Sequence, residues 1–73
     1  MRRKIMTAAE ARAIRLGFGL SQTKFAQLLG TAQETWSRIE NDQYRINERT
    51  QRLLEAFVAH PEFYEKVKRD NGL

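Results

Sequence analysis

Seventy-three residues with a net charge of +4 make one small basic domain rather than two. With no Cys and a single His, the chain excludes a disulfide framework, a thiolate or multi-histidine metal site and a cysteine nucleophile. No apolar run approaches the ~20 residues that a bilayer span requires, and no apolar segment follows the basic stretch Met1–Thr7 as it would in a signal peptide. These features suit a cytoplasmic protein. A chain of this length buries a small core, so help from a second copy is expected.

The charge is uneven. Residues 1–24 carry Arg2, Arg3, Lys4, Arg12, Arg15 and Lys24 against Glu10 alone, a surplus of +5. Residues 25–50 sum to −1 and residues 51–73 to zero. A basic first third beside a neutral remainder suggests one face toward a polyanion and another toward protein.

Periodicity predicts five helices and no strand. Thr7-Ala8-Ala9-Glu10 has the capping-box pattern, which starts helix one near Ala8. That helix runs through Ala9, Ala13, Ile14 and Leu16 and stops at Gly17-Phe18-Gly19. Ser21 is the expected N-cap of helix two, and Gly30-Thr31-Ala32 the turn after it. Helix three is expected over about Gln33 to Asn41, followed by a loop through Ile46. Asn47 caps helix four, which carries Leu53, Leu54, Phe57 and Val58. His60-Pro61 breaks it, with His60 as an N-cap or surface residue and Pro61 in the first turn of helix five. Residues Asp70 to Leu73 are expected to fray.

The stretch Gln22–Asn41 is the most informative. Phe25, Ala26 and Leu29 share one face of helix two, and Trp36 and Ile39 one face of helix three. Ala26 is small enough to let two helices approach, and Gly30 allows the positive φ that a sharp interhelical turn needs. The outward residues of helix three are Gln33, Glu34, Ser37, Arg38 and Asn41. These side chains are suited to hydrogen-bonding base edges or phosphates. A plain helical hairpin would more often carry Lys/Glu pairs there.

The segments Gly19-Leu20-Ser21-Gln22, Phe25-Ala26 with Leu29-Gly30, and Trp36-Ser37-Arg38-Ile39-Glu40-Asn41 resemble the Cro/repressor (XRE-type) helix-turn-helix family over roughly residues 8–58. The resemblance implies an all-α, five-helix, lambda-repressor-like DNA-binding domain. The tail, Leu53-Leu54-Glu55-Ala56-Phe57 and His60-Pro61-Glu62, is also similar to the DNA-binding half of MqsA-type antitoxins. Size and layout resemble regulators associated with anti-CRISPR operons.

The resemblance implies that Gln33, Glu34, Ser37 and Arg38 face base edges in the major groove. Gln can be bidentate to adenine, Glu can accept from cytosine N4, and Arg can be bidentate to guanine or bind phosphate. Glu34 has an equally simple reading as a solvated acid at a helix N-terminus, and Ser37 can meet a phosphate or a thymine methyl. The resemblance also places Ser21, Gln22, Asn41 and Arg45 against phosphates, and Gln22 at the N-terminus of helix two against phosphate or a neighbouring base. It pairs Arg15 with Glu40 as a structural contact between helices one and three.

Three positions depart from the family pattern. Ala32 replaces the usual Ser or Thr cap of helix three, a role left to Thr31 or a phosphate. Trp36 replaces a smaller aliphatic residue, and its indole N–H needs a partner if buried. Asp42 replaces the frequent Gly after helix three, and must tolerate positive φ there.

Residues 1–6 form a basic arm, either lying along DNA or solvated. Residues 61–73 form a C-terminal helix whose apolar groups, with Phe57 and Val58, exceed what two helices can hide, so part is expected at a dimer surface. The sequence is therefore read as a single-domain, homodimeric, sequence-specific repressor of double-stranded DNA. Its expected site is an inverted-repeat operator in its own operon, as in phage or mobile-element regulators. The alternative is an antitoxin that binds a toxin protein and its own promoter. No cofactor or membrane partner is expected. Paired carboxylates, a nucleophile–base set and a phosphate loop are all missing from the sequence, which argues against an enzyme. The lack of RNP-type or glycine clamp motifs argues against RNA.

Overall fold

The computed structural model describes residues 4–73. Within them the chain forms α1 (Ala8–Phe18), α2 (Gln22–Leu29), α3 (Gln33–Glu40), α4 (Glu48–Ala59) and α5 (Pro61–Asp70), with no strand. The all-α, lambda-repressor-like expectation holds.

Side chains start three of the helices. Thr7 Oγ1 accepts from the Glu10 N–H at 3.1 Å while Glu10 Oε1 accepts from the Thr7 N–H at 3.0 Å, completing the capping box. Ser21 Oγ accepts from the Lys24 N–H at 3.2 Å, and Asn47 Oδ1 from the Thr50 N–H at 2.8 Å. Ala32, lacking an acceptor, leaves α3 uncapped. Thr31 does not substitute for it. It lies one residue before the N-cap place, and α3 receives no side-chain cap bond. His60 gives α5 no side-chain cap either and is exposed.

The turn between α2 and α3 is a Schellman closure. Gly30 takes φ 70°, its N–H reaching Gln27 O and the Thr31 N–H reaching Ala26 O. The end of α3 has the same closure with Asp42 in the left-handed place, at φ 59°. The Asp42 N–H donates to Ile39 O and the Gln43 N–H to Arg38 O. Asp is among the few non-glycine residues that tolerate this backbone. Asp42 thus does the work of the missing glycine.

The chain end departs from expectation. Asp70 to Leu73 do not fray. The Leu73 N–H bonds Lys68 O at 3.0 Å, Asn71 Nδ2 bonds Val67 O at 2.8 Å, and Leu73 packs against the core. A closed cap and an apolar last side chain hold the segment where sequence position alone suggested disorder.

The core joins Ala11, Phe25, Ala26, Leu28, Leu29, Trp36, Ile39, Ile46, Leu54, Phe57 and Tyr64. On α1 the buried residue is Ala11, with Ile14 and Phe18 half-buried, while Ala9, Ala13 and Leu16 are exposed. Phe18, read from sequence as part of a helix stop, is an aromatic hub. It stacks on Tyr64 at 4.0 Å between ring centroids and lies 6.1 Å from Phe25 and 6.4 Å edge-on from Phe57. Tyr64 therefore belongs to the core and ties α5 to the rest. Its hydroxyl is buried with no hydrogen-bond partner among the described residues, and burial pushes its pKa up. Truncation after Ala59 would expose this aromatic cluster, so α1–α3 are not independent of α5.

Candidate nucleic-acid interface

Packing of Ala26, 1% exposed, and Trp36, fully buried, brings α2 against α3. The two helices are joined by side chains. Gln33 Nε2, at the start of α3, donates to Oε1 of Gln22, at the start of α2, at 3.1 Å. Gln22 Nε2 in turn donates to Glu40 Oε1 at 3.2 Å.

Glu40 is the anchor of this chain of bonds. Its side chain is 3% exposed and that of Arg15 is 11% exposed. Arg15 approaches it in fork geometry, Nε to Oε2 at 2.6 Å and Nη2 to Oε1 at 3.0 Å, while Nη1 donates to the Leu20 carbonyl at 2.9 Å. The Trp36 indole N–H donates to Glu40 Oε2. Four donors thus fill the four acceptor positions of one carboxylate. Burial by itself would raise the Glu40 pKa, but the bonds from Arg15, Gln22 and Trp36, with the Arg15 charge, outweigh it and hold the carboxyl below its ordinary value. The same contact holds Arg15 charged.

An ionised carboxylate only accepts, so Gln22 must turn its NH2 group inward. Its carbonyl oxygen then faces outward, and Gln33 must present its own NH2 to it. One charge thereby sets the orientation of two successive carboxamides. Among the described residues, one N–H and the carbonyl oxygen of Gln33 have no partner, and they lie side by side at the head of α3. Such a donor–acceptor pair matches N7 and N6–H of adenine.

Gln33, Glu34 and Arg38 are exposed and Ser37 is half-buried on the same helix. Glu34, Ser37 and Arg38 make no side-chain hydrogen bond to another described residue. Asn41 and Arg45 are exposed at and beyond the end of α3. Ser21 is exposed with its oxygen engaged as the cap of α2. Gln22 is half-buried, with both ends of its amide engaged. The structure therefore brings Arg15, Gln22, Gln33 and Glu40 into one network and leaves Glu34, Arg38, Asn41 and Arg45 separate from it. Sequence reasoning placed Arg15 with Glu40. It missed Gln22 as the link to Gln33, and Trp36 as a donor to Glu40, although their i,i+4 spacing on α3 was a usable signal.

It also missed Gln51. This residue is 5% exposed, one turn before Leu54 on the inward face of α4. A Gln within an apolar stripe signals a buried polar partner. That partner is backbone: Gln51 Nε2 donates to Lys4 O at 2.6 Å, and Gln51 Oε1 accepts from the Met6 N–H at 2.9 Å.

No group of described His, Cys, Asp or Glu residues has the arrangement of a metal site. No described helix is long and apolar enough to cross a membrane. The fold, the paired helix starts and the exposed polar face of α3 define a helix-turn-helix protein. The helix-turn-helix family model matches residues 12–57, well over half of the chain. The chain belongs to this family, of the Cro/repressor (XRE) type, and is a DNA-binding transcription regulator. No curated protein matches the chain.

Proposed function

We propose that the protein is a homodimeric repressor that reads an inverted-repeat operator with α3 and regulates its own operon in the cytoplasm. The observation that carries this reading is the Glu40–Gln22–Gln33 chain of hydrogen bonds. It orients a glutamine carboxamide in advance, at the head of an exposed helix, with the polarity a base edge requires. Gln33 reads adenine, Arg38 reads guanine, and Glu34 and Ser37 complete the surface facing the groove. Ser21, Gln22, Asn41 and Arg45 meet phosphates around it, the first two through the N-terminus of α2. Gln22 has a double role, since its side chain also holds Gln33.

The second copy docks through the apolar residues that α4 and α5 leave outside. Val58 is 56% exposed and Phe63 38% exposed, and Phe63 also lines a cleft with Leu53, Ala56, Arg49 and Arg52. Two-fold pairing sets half-site centres one helical turn apart, ~34–36 Å. Footprinting on the DNA just upstream of the gene tests the reading. The expected result is two protected half-sites in inverted repeat, with promoter activity falling as the protein is added. A single unrepeated site combined with a monomer in sedimentation would refute the dimeric repressor.

A further inference from the structure

Resting on the base-reading role proposed for α3, we propose that the Glu40–Gln22–Gln33 relay makes the protein sensitive to adenine N6-methylation. It holds an operator whose adenine opposite Gln33 is unmodified, and releases the same operator once that adenine carries an N6-methyl group.

The relay leaves Gln33 one amide orientation. Glu40 is 3% exposed and gripped by Arg15, so its place is set by the core. It accepts from Gln22 Nε2 at 3.2 Å, and Gln22 Oε1 accepts from Gln33 Nε2 at 3.1 Å. The polarity of the exposed Gln33 is thus inherited from a buried charge. Turning its amide over would set its carbonyl oxygen against that of Gln22, two acceptors with no proton between them.

An amide held in this way suits an unmodified adenine. Its second N–H donates to N7, and its oxygen accepts from N6–H. Adenine N6 carries two hydrogens. One is used in pairing with thymine, and the other projects into the major groove on the N7 side. A methyl group that leaves the base pair intact must take the second place. It therefore replaces the one hydrogen that Gln33 Oε1 accepts. A hydrogen-bonded oxygen lies only ~2.9 Å from N6, too close to admit a carbon between them. The bond is lost and the methyl meets the amide.

The relay also raises the cost of moving aside. An unrestrained glutamine could swing away and lose only its base contact. Gln33 must in addition give up its bond to Gln22, leaving the carbonyl of that half-buried side chain without this donor. Gln22 is therefore a positioning residue for methyl discrimination, apart from any phosphate it meets.

A duplex of ~30 bp, enriched by the wild type from a random-sequence pool, supplies the probe. It is resynthesised with N6-methyladenine at one adenine position at a time, and binding is measured at low salt for the wild type, Gln33→Ala and Gln22→Ala. Both variants leave the Arg15–Glu40 pair in place. Methylation of one adenine position in each half-site should weaken wild-type binding by roughly ten- to a hundredfold, the range of one bidentate base contact. Gln33→Ala should bind the methylated and unmethylated duplexes alike, which also controls for any weakening of the base pair by the methyl group. Gln22→Ala should show a smaller methylation penalty than the wild type, because its Gln33 is free to turn aside. The proposal is overturned if no single methylation weakens the wild type, if the penalty persists in Gln33→Ala, or if it is equal in the wild type and Gln22→Ala. In each of these cases the enriched duplex leaves sequence-specific binding standing. A wild type that enriches no duplex would overturn that reading itself, and methyl discrimination with it.

Discussion

Trp36 and Glu40 lie one helical turn apart on α3, and the indole N–H of Trp36 donates to the Glu40 carboxylate. The large ring that replaces an aliphatic residue in the core is therefore also a polar ligand. It packs edge-on to Phe25 with 5.2 Å between ring centroids, and its N–H adds a donor to the carboxylate that joins α1 to α3. Trp36→Phe keeps an aromatic ring but removes the donor and part of the volume. Stability should fall by about 1–3 kcal/mol, with DNA specificity retained because Arg15 and Gln22 still hold Glu40. Urea unfolding beside operator binding checks both halves.

Glu40→Gln should be more damaging. The neutral amide leaves the buried Arg15 uncompensated and brings an NH2 group against at least one incoming donor, so a loss of about 3–5 kcal/mol is expected. It also releases the orientation of Gln22. Base preference at the position facing Gln33 should therefore relax as stability falls, which a purely structural Arg15–Glu40 pair would not produce. An unchanged melting temperature would mean that Glu40 does not anchor the network.

The same carboxylate gives a pH dependence. Its folded pKa lies below the ordinary value of 4.5, so its stabilisation is fully present above that value. Stabilisation is lost as pH falls below 4.5 and through the lower folded pKa. Unfolding free energies at about pH 7 and about pH 3 should differ more for the wild type than for Glu40→Gln. Equal acid losses in the two proteins would assign the acid sensitivity to other groups.

On α3 and around it, base readers and phosphate contacts should separate. Gln33→Ala and Arg38→Ala should each lose ~1–3 kcal/mol of discrimination between operator and scrambled duplex. Arg45→Ala should weaken both duplexes alike and lower the salt slope by roughly one unit. Sequence alone puts Gln22 in this second group. Its bond to Gln33 predicts instead that Gln22→Ala loses discrimination as well as overall affinity, and that it adds little to Gln33→Ala in the double variant. Full additivity would disconnect the two glutamines functionally.

The proposed dimer surface is best tested without truncation, because Tyr64 is part of the core. Val58→Asp and Phe63→Asp each place a charge at an exposed apolar position, one on α4 and one on α5, and should yield folded monomers. Half-site binding should survive while affinity for the paired site drops by at least tenfold. A dimer that persists in sedimentation for both variants would place the interface elsewhere.

Much of the fold is legible from local chemistry. The helix starts at Thr7, Ser21 and Asn47 and the turn at Gly30 depend on residues within four positions of one another, which a linear reading can follow. The pair of Arg15 with Glu40, and the outward face of α3, follow from family resemblance and helical period. Phe18 escapes such a reading because a residue between two glycines looks like a helix end, while its contacts are made by Tyr64 far along the chain. Leu73 escapes it because only packing against the core reveals its anchorage.

The sequence by itself determined the element order, the helix-turn-helix and which groups face outward on α3, since these follow from period, caps and turns. Tertiary structure alone decided which polar groups share partners. It placed four donors on Glu40, turned Gln22 and Gln33 to match, and set Gln51 against the backbone of residues 4 and 6. The physical reason is that a carboxamide has a donor end and an acceptor end. Which way it points depends on neighbours in space, and those neighbours are many residues away in sequence.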